Sequence, residues 1–68
     1  MDRREFIDSL AARDDHAAEM LGVGKAALSR WVKRPVADRR EAILLEGWAL
    51  LSERKRRKAI REAEQPQP

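Results

Sequence analysis

Lys25, Ala26, Ser29, Arg30 and Lys33 recur at the spacing that brings side chains onto one face of an α-helix, and Arg34 follows directly. Two guanidiniums, two ammoniums, a hydroxyl and a methyl in that arrangement suit one kind of chemistry. A guanidinium is a planar fork that matches phosphate or the O6/N7 edge of guanine, an ammonium is a point charge for phosphate, and a methyl packs on thymine. Arg30 is therefore the candidate for a base edge, Lys25 and Ser29 for a base or phosphate, and Lys33, at the helix end, for phosphate. Arg34, with Arg39 and Arg40 beyond Pro35, stands where it could grip the backbone beside a groove. Catalysis has no comparable set of residues. There is no cysteine, His16 is the single histidine, and no nucleophile stands beside a base. No enzyme activity, metal, cofactor or small-molecule substrate is expected, and His16 is left as a surface residue or a phosphate contact.

Such a face works only on a helix held rigidly by others, and the chain has the signals for them. Asp2 and Glu5 form a capping-box pattern, followed by Phe6, Ile7 and Leu10 on one narrow apolar face. Asp14 or Asp15 is expected to cap a second, short helix with Ala17, Ala18 and Leu21 inward. Gly22 should stop it, since glycine accepts the left-handed backbone of a helix C-terminus. Val23 is read as an apolar plug in the turn. Gly24 opens a third helix with Ala27, Leu28 and Trp31 inward. Asp38 and Glu41 repeat the capping box and open a fourth helix that reaches at least Glu46, with Gly47 ending or weakening it. The fold class expected is all-α: a compact four- or five-helix bundle.

The stretch from His16 to Trp31 combines three requirements in register. Two helices crossing steeply need a small residue where they touch (Ala18), a residue without a side chain at the turn (Gly22), and apolar anchors (Val23, Leu28, Trp31) for the second helix. Together they predict a helix-turn-helix. Gly22-Val23, then Ala26-Ala27-Leu28-Ser29 and Trp31, with the opening Phe6-Ile7-Asp8, make the chain similar to the Cro repressors of lambdoid phages, especially the wholly helical ones. More distantly it resembles the CII-type phage activators. The similarity covers about residues 1–51 and is strongest at 17–31. It implies an operator-binding regulator that occludes promoters, usually as a dimer on a near-palindromic site. Two positions depart from the family pattern. Asp14 stands where Gln or Thr often meets a phosphate, so no phosphate contact is transferred to it, and Gly24 stands where Ser or Thr normally caps the recognition helix.

Charge is distributed in blocks. Residues 1–24 carry a net −3, 25–40 a net +5, 41–53 a net −3 and 54–68 a net +4, within a total of +3. Concentrated positive charge is what a surface facing phosphates requires. The division expected is a helix-turn-helix domain over 1–52 and a basic tail over 53–68, partly helical or disordered, with disorder expected at Gln65–Pro68. The run Arg54-Lys55-Arg56-Arg57-Lys58 reads equally as a backbone contact or as a solvated helix end paired with Glu53, Glu62 and Glu64.

On the fourth helix, Ile43, Leu44, Gly47, Trp48 and Leu51 are expected to close the core over Phe6 and Trp31. Ala42, Leu45 and Ala49 would then form a second apolar face, and Leu45, Trp48, Ala49 and Leu50 become the candidate contacts with a second copy. No apolar run is long enough to span a bilayer and no signal-type segment follows Met1, so the expected location is the cytoplasm. The expected partner is double-stranded operator DNA, bound through the major groove by a homodimer. Two rivals stand beside this repressor reading: an activator or antitoxin-type autoregulator on the same domain, and a protein-interaction module. The polar and basic outer face of the third helix, with no exposed aromatic, favours DNA.

Overall fold

A computed structural model describes residues 1–64, and Gln65–Pro68, where disorder is expected, lie outside the described residues. Five helices follow one another: α1 (Arg3–Leu10), α2 (Asp14–Leu21), α3 (Lys25–Lys33), α4 (Arg39–Leu50) and α5 (Glu53–Glu64). No strand occurs among the described residues. α1 begins where the sequence places it. The Asp2 carboxylate accepts from the Glu5 amide and the Glu5 side chain returns to the Asp2 amide, the full reciprocal box. α4 has half of this device. Asp38 accepts from the Glu41 amide at 2.9 Å, while the Glu41 carboxylate turns instead to Arg3 and to the Ala37 amide.

α2 departs from expectation at its start. Its N-cap is Arg13, with no side-chain cap, because both candidate carboxylates are engaged by arginines: Asp14 by Arg4 and Asp15 by Arg13. Its end is as expected. Gly22 sits at φ +70°, its amide donates back to Ala18 and Glu19, and the Val23 amide reaches the Ala18 carbonyl at 3.0 Å.

Ile7, Ala17, Ala18 and Leu28 form the buried centre, ringed by Phe6, Leu10, Trp31 and Val32. Fully burying a side chain such as Ile7 stabilises by about 1.5–3 kcal/mol. The two alanines are small enough for α2 to close against α1 and α3, and α1 in turn packs against α3 and α4. Phe6 is held edge-on between two tryptophans, 5.4 Å from Trp48 and 6.1 Å from Trp31, geometries worth ~0.5–1.5 kcal/mol each beyond burial. The Trp48 indole N–H donates to Ser9 Oγ at 2.7 Å, so its polar edge is satisfied.

Three positions expected inward on α2, on α3 and in the turn between them are exposed: Leu21, Ala27 and Val23. Val23 anchors the turn through its backbone amide and leaves its side chain 44% exposed. The largest correction is on α4, which continues unbroken through Gly47. Leu45 is buried at 5% exposure and Ala42 and Ala49 are half-buried, whereas Ile43 and Leu44 are 63% and 67% exposed. The sequence reading is therefore reversed in part: Ala42, Leu45 and Ala49 turn inward and Ile43 and Leu44 outward, while Trp48 and Leu51 stay on the inner side as expected. Trp48 fixes the rotation of the helix by docking on Phe6, and the residue one turn before it on that side, Leu45, goes inward with it. No described helix is long and apolar enough to cross a membrane.

Candidate nucleic-acid interface

The residues singled out on α3 lie where the helical spacing puts them. Lys25, Ala26, Ser29, Arg30 and Lys33 are all exposed, and so is Arg34 at the helix C-cap. Leu28 anchors the opposite side of α3 and Trp31 is half-buried against Phe6. Gly24 is the N-cap and contributes no side-chain bond, so the first amides of α3 are left to an outside acceptor. Arg34 is extended, as the residue before a proline prefers, and this ends the helix.

What marks this surface is the clustering of its unpaired cations. Several cations elsewhere are occupied by the protein itself. Arg4 bridges Asp8 and Asp14, both at 2.6 Å, and Arg13 holds Asp15. Arg57 pairs with Glu53 at 2.6 Å, and Lys58 lies 3.9 Å from Glu62. Arg56 donates to the Trp48 and Ala49 carbonyls, both at 3.1 Å, satisfying acceptors that the end of α4 leaves open. Among the described residues, by contrast, Lys25, Arg30, Lys33 and Arg34 make no ion pair or side-chain hydrogen bond, and neither do Arg39, Arg54, Lys55 and Arg61. The basic run is thus split: Arg56 is structural, Arg57 and Lys58 are paired along their own helix, and Arg54 and Lys55 are left to solvent.

Sequence reading misses the residue that positions α3. Arg3 is the most buried charged side chain described, at 6% exposure. Its guanidinium meets Glu41 through Nε at 2.5 Å and Nη2 at 2.7 Å, a two-pronged pair. Nη1 donates to the carbonyls of Trp31 and Arg34 at 2.9 and 3.4 Å, and the group lies 4.6 Å from the Trp31 ring centroid. One side chain from α1 therefore caps the end of α3 and ties it to the start of α4. The signal was present: Arg3 is one helical turn before Ile7, hence on the inward face. The bond from Arg3, with a second from the Ala37 amide, holds the Glu41 carboxyl below the ordinary glutamate range.

Asp14 would repel a phosphate if free. Arg4 covers it and holds its carboxyl low, with a further contribution from Lys25. His16 is exposed on the first turn of α2. Among the described residues no three His, Asp or Glu side chains gather as a metal site would need.

The candidate self-contacts fare differently. Leu45 is buried and Trp48 and Ala49 are half-buried within the fold, so these three are not available as proposed. Leu50 is 87% exposed and falls with Ile43, Leu44 and Gly47 on the solvent side of α4. No protein-family model, curated protein or solved structure matches the chain.

Proposed function

We propose that this chain is a sequence-specific DNA-binding transcription regulator whose α2-turn-α3 unit works as a helix-turn-helix, with α3 in the major groove. The observation that carries the reading is the clustering of four unpaired cations, Lys25, Arg30, Lys33 and Arg34, on and beside the exposed side of α3. Arg30 reads a base edge, Lys25 and Ser29 reach bases or phosphates, Ala26 packs on a thymine methyl, and Lys33 and Arg34 hold the backbone. The resemblance to Cro repressors supports the direction of action, in which bound protein covers promoter DNA that polymerase requires.

One such helix makes few base contacts, so the reading includes a two-fold dimer on DNA, with recognition helices about 34 Å apart. The exposed aliphatic stripe Ile43, Leu44 and Leu50 replaces Leu45, Trp48 and Ala49 as its contact surface. Three side chains bury less than the ~800 Å² per partner of a standard interface. The dimer therefore assembles on the duplex, where binding of one copy raises the effective concentration of the next.

Selection of bound sequences from random duplexes, followed by stoichiometric titration of the winner, tests the proposal. The expected outcome is a near-palindrome with half-sites one helical turn apart and two chains bound. Enrichment of no sequence overturns it.

A further inference from the structure

Beside the outer face of α3 lies an open cavity of about 580 Å³ whose walls come from α1, α2, α3 and their links. Its apolar lining includes Phe6, Leu21, Val23 and Trp31, and Arg30 and Arg34 stand on the same wall. Leu21 and Val23 remain 40% and 44% exposed there. The volume falls within the range of small-molecule sites, about 300–1,000 Å³, which are concave, mainly apolar and carry a few oriented polar groups. Arg30 lies in α3 and Arg34 is its extended C-cap, and both line this cavity. Neither has an ion-pair partner among the described residues, and no acidic residue lines the cavity.

We infer that this cavity binds a small amphipathic carboxylate, an aliphatic or aryl acid whose apolar body lies against Phe6 and Trp31 while its carboxylate is held by Arg30 and Arg34. Charge complementarity selects the class. An apolar floor alone would take any hydrophobe, but two unpaired guanidiniums beside it favour a group with one compact anionic end, which a guanidinium can grip with two parallel bonds. Ala27, the smallest of the lining residues, contributes only a methyl group to the wall. Arg30 belongs both to this cavity and to the surface proposed to read DNA. On that reading, which this consequence rests on, a bound acid withdraws Arg30 from the base edge and competes with the duplex.

Decanoate, kept below its micellar range, is the probe, with decanol and decylamine as neutral and cationic counterparts. Two-dimensional NMR of the full chain follows the Trp31 and Trp48 indole N–H signals separately. Decanoate should shift Trp31 saturably and leave Trp48 unmoved. R34Q should weaken that binding about tenfold. A27F should abolish it while far-UV circular dichroism stays helical. An unmoved Trp31, or equal binding of all three probes, overturns the site. A Trp31 shift that follows protein concentration and dimer formation without probe assigns the cavity to a second copy, and also overturns it. In the DNA arm, decanoate but not decanol should weaken binding to the selected duplex at least severalfold. Decanoate binding in a protein that prefers no duplex leaves the site standing and removes the regulator reading; an unmoved Trp31 in a protein with a selected duplex does the reverse.

Discussion

Arg30 and Lys33 carry the same charge on the same helix, yet their roles on DNA are expected to differ. Arg30 lies in the body of α3 and Lys33 is its last residue, where a side chain meets the backbone more readily than a base. R30A should cost ~1–3 kcal/mol on the selected site and relax preference at one base pair, whereas K33A should weaken every duplex alike. Affinities on selected and scrambled duplexes at fixed salt separate the two, and equal losses for R30A would refute its role. Glu41 supports this face from behind. Because Arg3 holds its carboxyl below the ordinary range, its charged form is linked to the folded state. That stability is fully present above the ordinary glutamate range and is lost as pH falls through it towards the depressed native value. E41Q lacks the linkage, so the stability gap between native protein and variant should narrow steadily on acidification. Urea unfolding from pH 7 to pH 3 reads this out, and a constant gap would show that the pair contributes nothing that depends on ionisation.

At the scale of elements, two glycines in helical surroundings do opposite things. Gly22 ends α2 at φ +70°, a conformation that costs an L-residue about 1–2 kcal/mol, although nothing lies within 4 Å of an added Cβ. Gly47 lies inside α4 with equally open space and an ordinary helical backbone. G22A should therefore destabilise by ~1 kcal/mol. G47A should stabilise by ~0.5–1 kcal/mol, because the glycine only adds conformational entropy to the unfolded chain. Thermal unfolding at micromolar concentration distinguishes them, and shifts of the same sign would show that local backbone geometry is not what these positions contribute.

For the molecule as a whole, charge is organised more tightly than composition suggests. Helices α1 to α3 share one core and α4 packs on α1, while α5 has no buried residue and is joined to α4 through Arg56 and a cation–π approach of 5.8 Å to Trp48. Removing residues 53–68 should leave the remaining helices folded and the base preference unchanged. The salt dependence of binding should flatten, its logarithmic slope falling by about 0.9 for each phosphate that is no longer neutralised. Arg54, Lys55 and Arg61 are the cations available to those phosphates. An unchanged slope would make α5 a bystander on DNA, and loss of helicity in the remainder would make it part of the fold.

Local signals were legible in the sequence because their physics is local. The Asp2–Glu5 box, the left-handed stop at Gly22, the end of α3 before Pro35 and the outward face of Lys25, Ser29, Arg30 and Lys33 each depend on residues within a turn or two. Nothing local distinguished the two sides of α4. Ile43 and Leu44 are as apolar as Leu45, so periodicity allowed either rotation, and only docking of Trp48 against Phe6, with its indole bonded to Ser9, chose one. Partner choice was likewise undecidable from the chain. Asp14 and Asp15 are sound capping residues until Arg4 and Arg13 approach, and Glu41 completes its own box unless Arg3 arrives from α1. A charged side chain takes the strongest partner within reach, and reach between helices is set by tertiary packing.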